Sequence, residues 1–288
     1  MKFIKMHALG NDYIIFNSLF EVNDVPPHLI KNVCERHYGI GADGVIILLP
    51  SDKTKFKATI YNSDGSEAEI SGNGIRCLGR YIYDLGILRK KNFSIETLAG
   101  VKEITITENK GLVDKISVNM GKPEFKREKI PMKGKMGDPL NEEIIVGENQ
   151  KILASCLSIG NPHCVIWVDD IKKAPVKILG FKLERHEIFP NNTNVEFVKV
   201  KNKNEIFVRT WERGVGETES CGTGACAAVV VSVLKNKTKR KVNVSLLGGN
   251  LEVLWREKDE NIILTGKVDY VYKGRLSDSW LLSQYERD

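Results

Sequence analysis

Two short stretches of this sequence combine glycines with a side chain that can hold or release a proton. Cys221 precedes Gly222-Thr223-Gly224, and Ser71 precedes Gly72-Asn73-Gly74. Each stretch runs into an apolar segment, at the predicted start of a helix. The first N–H groups of a helix are unpaired and carry partial positive charge, so two such turns predict two anion sites. The alternative interpretation is that both are tight turns leading into core helices, without a ligand.

The thiol at the second turn is the group best suited to chemistry. A helix N-terminus stabilises a thiolate, so we expect the pKa of Cys221 to lie below its ordinary value of about 8.5. Cys221 is therefore a candidate base or nucleophile. Cys226, one turn into the same helix, is more typical of a buried apolar residue.

The chain repeats itself at a nearly constant offset, which indicates a duplication. Gly10-Asn11, followed by YIIF, returns 150 residues later as Gly160-Asn161, followed by CVIW. YNSDGSE and WERGVGE, and the two glycine turns, are separated by the same offset. A repeat this long is not a solenoid period. We predict two similar domains, residues 1–120 and 121–266, with a tail, 267–288, that returns to the first domain to complete a sheet.

Short β-rich runs dominate both halves, and one helix follows each glycine turn. The segment GACAAVVVSVLKN is apolar on nearly every face, so its helix must be buried all round. Gly86 is a plausible cap for the end of the first helix. A further helix is predicted in PPHLIKNVCERHYG, with Pro at its start and Gly after its end. We predict an α+β fold of two pseudo-symmetric domains, each a curved, barrel-like mixed sheet around a central helix, with the active site in the cleft between them.

Composition narrows the functional classes. The 43 basic and 37 acidic residues of the 288-residue chain are interspersed. Because the sequence contains no basic block, we expect no nucleic-acid partner. No apolar run is long enough to span a bilayer, and the N-terminus lacks the pattern of a signal peptide, so we expect a cytoplasmic protein with no membrane partner. No C-x-x-C pair is present, which argues against a zinc site.

Six segments are spread over nearly the whole chain: MHALGNDYIIF, GADGVIIL, YNSDGSEAEISGNGIRC, GNPHCVIWVDD, NTNVEFV and WERGVGETESCGTGACA. In type and order they resemble the diaminopimelate epimerase family. The resemblance implies two pseudo-symmetric domains, an amino-acid substrate, no pyridoxal phosphate or other cofactor, no metal, and usually a homodimer. It also implies interconversion of LL- and meso-diaminopimelate, in lysine and cell-wall synthesis, by two cysteines that act on opposite faces of the α-carbon.

This sequence departs from the family at one of those two positions. Cys221 matches the second catalytic cysteine, but Ser71 occupies the first. Cys77, inside the helix, matches a non-catalytic position. An alcohol is a far weaker acid than a thiol, so we expect slow epimerisation. Three explanations stay open: an engineered inactivation, a natural change that marks an epimerase or dehydratase for another amino acid, and a protein that only binds amino acids.

The resemblance also assigns substrate contacts to positions of this sequence. Arg213 is expected to bind the distal carboxylate as a bidentate partner. Glu212 and His163 are expected beside the cysteines, where they orient or polarise them, and Glu212 is expected to contact substrate as well. The backbone groups expected to hold the α-carboxylate belong to Gly72, Asn73, Gly222 and Thr223. The expected substrate amides are Asn11, Asn62, Asn161 and Asn194.

The asparagines and His163 each have a plainer alternative. An asparagine is also a common turn former with positive φ, and His163, after Pro162, is also compatible with an ordinary surface histidine. Gly44 stands where some relatives of the family have a glutamine, so we leave it out of the site.

Overall fold

A computed structural model describes residues 1–19, 25–134, 139–147 and 149–285. The strands in chain order are β1 (Lys2–Ala8), β2 (Asn11–Asn17), β3 (Gly44–Pro50), β4 (Phe56–Asn62), β5 (Glu67–Ala68), β6 (Asn92–Thr97), β7 (Gly100–Asn109), β8 (Leu112–Gly121), β9 (Glu142–Val146), β10 (Gln150–Ser158), β11 (Pro162–Trp167), β12 (Asn194–Asn202), β13 (Glu205–Glu212), β14 (Gly216–Thr218), β15 (Lys241–Leu246), β16 (Gly249–Trp255), β17 (Ile262–Gly266) and β18 (Asp269–Arg275). The helices are α1 (Pro27–Cys34), α2 (Gly72–Asp84), α3 (Val176–Glu184), α4 (Gly222–Leu234) and α5 (Asp278–Tyr285).

Internal contacts divide the chain into two compact units. Unit 1 comprises Met1–Val118 and Lys267–Asp288, and unit 2 comprises Asn119–Gly266. In unit 1 the strands lie in the order β18, β1, β2, β3, β4, β6, β7, β8. The β2–β3 and β4–β6 pairs are parallel and the others antiparallel, so the sheet is mixed. The C-terminal strand β18 pairs with β1 at the edge of this sheet.

Unit 2 repeats this arrangement strand for strand. Its order is β9, β10, β11, β12, β13, β15, β16, β17, with parallel pairs at β11–β12 and β13–β15 only. In both units the parallel pairs fall at the same places in the order. The α+β class and the pseudo-symmetry predicted from the sequence are therefore confirmed.

The helix after each glycine turn packs against the sheet of its own unit. Residues from Gly222 to Ser232 of α4 are all buried, as the unbroken apolar sequence predicts. This helix contacts β10, β11, β12, β13, β15, β16 and β17. One straight helix can touch so many strands only if the sheet curves around it. In unit 1, α2 contacts β1, β2, β3 and β7, and Gly86 follows its end with a left-handed φ of 67°.

Helix α1 packs on the other side of β2 and β3 through an apolar cluster that includes Leu29, Ile30 and Val33. Pro27 is its first residue, as predicted, but the helix ends at Cys34, well before Gly39. The Glu35 carboxylate accepts hydrogen bonds from the backbone N–H groups of His37 and Tyr38, each at 2.6 Å. Those N–H groups cannot also continue the helix, so the chain turns there.

Within the described part of the chain, no helix has the length and apolar character that crossing a membrane requires.

Candidate functional site

Cys221 begins the central helix of unit 2, and its thiol is enclosed. It is the N-cap residue of α4, with an extended backbone (φ −116°, ψ 112°). Only 3% of the residue is exposed, and Sγ lies 3.6 Å from Thr223 Oγ1. The strand-to-helix turn therefore holds the sulfur over the first turn of the helix.

The environment of this thiol opposes ionisation, contrary to the expectation from the helix terminus alone. Burial raises the pKa of Cys221 well above its ordinary value, and the carboxylates of Glu212 and Glu196 raise it further. Contacts with Thr223 and the Gly224 backbone N–H lower the pKa but do not outweigh those effects. The expected low pKa is therefore wrong for this structure, because removing the sulfur from water costs more than the helix terminus returns. Cys221 rests as a thiol, which is the acid form.

A buried pair of ionisable side chains lies beneath the helix start. His163 on β11 and Glu196 on β12 are both fully buried, and His163 Nδ1 lies 2.8 Å from Glu196 Oε1. The other ring nitrogen, Nε2, lies 2.9 Å from Asn161 Oδ1. A carboxylate that holds one ring nitrogen fixes the orientation of the imidazole.

These contacts continue to the thiol. Asn161 Nδ2 donates to Thr223 Oγ1 at 3.4 Å, and that hydroxyl is the neighbour of Cys221 Sγ. The contacts thus connect five side chains in series: Glu196, His163, Asn161, Thr223 and Cys221. Four of them are predicted site residues, and Glu196 is the one that the sequence analysis missed.

The sequence does contain a signal for Glu196. It is the one charged residue in the segment NVEFV of β12, and all five positions are buried. A carboxylate in a strand buried on both faces requires a polar partner in the interior. The identity of that partner, His163, depends on the parallel pairing of β11 with β12, which the sequence alone does not give.

Position 224, the last glycine of the second turn, has no room for a side chain because the Glu196 carboxylate lies so close. A Cβ added at Gly224 would lie 2.7 Å from Glu196 Oε1 and 3.2 Å from Thr210 Oγ1. Only glycine lets the helix start approach the buried pair so closely.

The other predicted polar groups of unit 2 lie at the end of β13 (Glu212), in the turn after it (Arg213) and at the start of β12 (Asn194). Thr218 Oγ1 donates to Glu212 Oε1. Asn194 accepts a hydrogen bond from the Arg213 backbone N–H at 2.9 Å, and its Nδ2 donates to Pro162 O at 3.0 Å. Asn194 therefore holds the backbone at Arg213, and its role as a substrate amide stays a prediction.

Ser71 occupies the equivalent position in unit 1. It is the N-cap of α2, and its Oγ accepts a hydrogen bond from the Gly74 N–H at 3.0 Å. The hydroxyl of Tyr13, on β2, lies 2.7 Å from the same Oγ. The sequence analysis did not identify Tyr13. The serine thus has a phenol as a close neighbour, where Cys221 has a threonine hydroxyl.

Beside Ser71, a fully buried arginine organises the predicted amides. Arg76 donates to Gly72 O at 3.0 Å and to Asn73 Oδ1 at 2.6 Å. Asn73 Nδ2 in turn donates to Asn11 Oδ1 at 3.0 Å, and Asn11 Nδ2 donates to Asp43 Oδ2 at 3.0 Å. The structure therefore brings Ser71, Gly72, Asn73 and Asn11 together around the start of α2. Arg76 was also missed, because an arginine in a helix ordinarily indicates an exposed face.

Asn62 is the last residue of β4, and its Nδ2 donates to Ser66 Oγ, in the turn that follows, at 3.0 Å. This contact is typical of a turn former, and a role in substrate binding stays a prediction.

Within the described ranges, no group of three or more His, Cys, Asp or Glu side chains is arranged to hold a metal ion.

Comparisons with known proteins identify the family of the chain. The family model described as diaminopimelate epimerase matches residues 3–126 and 155–271. A protein of Heliobacterium modesticaldum named diaminopimelate epimerase is 49% identical over 286 residues, which is 96% of this chain and 99% of that protein. One of the same name from Methanococcus maripaludis is 44% identical over 276 residues, 96% of this chain and 99% of that protein.

Solved structures share the fold at much lower identity. A probable proline racemase from Agrobacterium radiobacter K84 aligns with a TM-score of 0.74 at 17% identity, covering 96% of this chain and 93% of that one. A hydroxyproline epimerase from Agrobacterium vitis aligns with a TM-score of 0.73 at 14% identity, covering 97% and 96%. Because the family model and the close relatives each cover most of the sequence, the chain belongs to the diaminopimelate epimerase family and is an isomerase.

Proposed function

We propose that this protein converts LL-2,6-diaminopimelate to meso-diaminopimelate by two-base proton transfer at the α-carbon, without a cofactor. The observation that carries the proposal is the repeated helix start: each unit places one protic side chain, Ser71 or Cys221, at the N-cap of its central helix. Inversion of a carbon needs one group to remove a proton and a second group to deliver one to the opposite face. The names of the relatives supply the substrate.

In this proposal the two units are the duplicated domains, and each supplies one acid–base group to the same substrate. Cys221, resting as a thiol, delivers a proton to the carbanion, and its thiolate removes one in the reverse direction. Glu212 and His163 orient and polarise this thiol. Because no cofactor delocalises the negative charge, the α-carboxylate must be held by preorganised donors. The proposed donors are the helix starts at Gly72, Asn73, Gly222 and Thr223.

The distal end of the substrate sets the specificity. Arg213 provides the cation for the second carboxylate, and the amides of Asn11, Asn62, Asn161 and Asn194 contact the zwitterionic groups. We further propose a cytoplasmic homodimer that serves lysine and peptidoglycan synthesis, since these properties accompany the family resemblance. The reaction is slow, because the hydroxyl of Ser71 ionises far less readily than a thiol.

Hydrogen exchange at the α-carbon tests the proposal. The protein is incubated with LL-diaminopimelate in deuterated water, and loss of the α-proton signal is followed by NMR. Ser71→Cys should raise the rate by at least about tenfold, since a well-matched acid–base group contributes about 10²–10⁴. Cys221→Ala should abolish conversion to the meso isomer.

The matched control is Cys226→Ala, which removes a buried thiol from the same helix and should leave the rate within about twofold. If neither the unaltered protein nor the Ser71→Cys variant exchanges the α-proton, the proposed reaction is wrong. If lysine, which has no second carboxylate, exchanges as fast as diaminopimelate, the proposed substrate is wrong.

A further inference from the structure

Tyr13 lies against Ser71 in a way that bears on the acid–base problem. The phenol oxygen is 2.7 Å from Ser71 Oγ, a short distance for a hydrogen bond between two hydroxyl groups. Tyr13 is 8% exposed, so the pair is largely shielded from water. Ser71 Oγ also accepts the Gly74 N–H. When Tyr13 donates as well, both lone pairs of the oxygen are occupied, and the hydrogen of Ser71 points away from both donors.

The position of the ring is built into the sheet. Tyr13 is the register partner of Gly44 across the parallel β2–β3 pair. A Cβ at Gly44 would lie 2.9 Å from Tyr13 Cε1, 3.2 Å from Cδ1 and 2.5 Å from the Tyr61 carbonyl. The absence of a side chain at residue 44 is therefore what gives the phenol ring its place.

The duplication supports a role for this ring. His163 in unit 2 is the register partner of Asn194 across the parallel β11–β12 pair, as Tyr13 is of Gly44 in unit 1. Each unit thus carries an ionisable ring at the same position of the same strand. In unit 2 the ring reaches Cys221 through Asn161 and Thr223, whereas in unit 1 it contacts Ser71 directly.

We propose that Tyr13 is a positioning residue that shares the proton of Ser71, so that the two hydroxyl groups together act as the acid–base group that a thiol would otherwise supply. This inference rests on the proposed function. A phenol ionises near pH 10 and is by far the more acidic of the two hydroxyl groups. Because burial disfavours the charged form of a phenol, only a small fraction of such a buried group is ionised near neutral pH, which permits turnover but keeps it slow.

The proton transfers balance as follows. When the pair acts as base, Tyr13 begins as phenolate. The Cα–H bond breaks, its hydrogen bonds to Ser71 Oγ, and the original Ser71 proton moves to the phenolate oxygen. The electron pair stays on the α-carbon and its carboxylate, and the Cys221 thiol protonates the opposite face. In the reverse direction Ser71 protonates the carbon, Tyr13 reprotonates Ser71, and exchange with water restores each starting form.

The test compares Tyr13→Phe in two backgrounds, by the rate at which LL-diaminopimelate is converted in deuterated water to meso product labelled at the inverted carbon. With Ser71 present, the change should lower kcat by about 10²-fold and leave KM within about twofold, the pattern of a lost proton-transfer function. In the Ser71→Cys chain, the same change should lower kcat by less than about threefold, because a thiol needs no phenol. Tyr81→Phe removes another buried phenol, also in unit 1, and should leave kcat unchanged in both backgrounds.

Equal losses in both backgrounds would assign Tyr13 a structural role only and overturn the inference, as would the absence of any loss with Ser71. Failure of the proposed function itself is separate, since the Ser71→Cys chain would then be inactive with Tyr13 intact. A second measurement uses difluorotyrosine at position 13, which lowers the phenol pKa without removing the hydroxyl. It should raise kcat at neutral pH with Ser71 and not in the Ser71→Cys chain, and no change with Ser71 would contradict proton sharing.

Discussion

The close approach of α4 to the buried carboxylate makes Gly224→Ala a sharp test of the structure. The added methyl carbon would lie 2.7 Å from Glu196 Oε1, well inside van der Waals contact. Glu196 is fully buried and bonded to His163, so it cannot move aside freely. Overpacking costs about 1–3 kcal/mol, and weakening a buried charged hydrogen bond costs about 1.5–3 kcal/mol. Alanine recovers about 1 kcal/mol of helix propensity. We expect a net loss of about 2–5 kcal/mol.

The duplication supplies the matched control. At Gly74, the equivalent position of unit 1, an added Cβ would lie 2.9 Å from Ile46 Cδ1, the flexible end of an apolar side chain. That methyl group can rotate away, so the overpacking and the gain in helix propensity should nearly cancel, and we expect Gly74→Ala to change the stability by less than about 1 kcal/mol.

Calorimetric melting separates the two variants. For a chain of this size, 1 kcal/mol shifts Tm by about 2–4 °C, so Gly224→Ala should lower Tm by about 4–20 °C and Gly74→Ala by less than about 4 °C. Gly224→Ala should also lose exchange activity, because the displaced Glu196 no longer orients His163. Equal Tm shifts for the two alanines would refute the placement of Glu196 beneath the helix start.

Three further predictions concern single groups. Glu196→Gln removes a negative charge that raises the pKa of Cys221, so iodoacetamide should alkylate that thiol faster at pH 8; an unchanged rate would contradict the electrostatic argument. Arg76→Met leaves buried acceptors without their donor, so it should lower the free energy of unfolding in urea by about 3 kcal/mol. The control Arg89→Met, at an exposed position, should change that free energy by about 0.5 kcal/mol or less, and equal changes would contradict the buried network. Ser71→Ala removes an N-cap and should cost about 1 kcal/mol by the same measurement, and a neutral result would contradict the cap geometry.

Much of the fold could be predicted because the duplication is written in local sequence. The constant offset between the glycine turns predicts two similar units, and the unbroken apolar run of α4 predicts a helix buried on every face. Both signals depend on residues close together in the chain. The end of α1 was predicted wrongly, because the Glu35 carboxylate takes the N–H groups that a longer helix would need.

The site was less accessible to sequence reasoning, because its chemistry depends on distant residues. The pKa of Cys221 is set by burial and by carboxylates from β12 and β13, not by the helix terminus next to it. Likewise, the contact between Tyr13 and Ser71 joins residues 58 positions apart and exists only when β2 and α2 are packed together. Periodicity and spacing carry no information about such contacts.

The isotope content of substrate and product at early conversion tests most directly whether two different groups act on the two faces of the carbon. Unlabelled LL-diaminopimelate is converted in deuterated water, and both isomers are analysed before one tenth has reacted. With separate groups, meso product should carry deuterium at the inverted carbon, while the remaining LL isomer stays largely unlabelled. Meso product that retains the original hydrogen would mean that one group serves both faces, and the account of Ser71 and Cys221 as partners would be wrong.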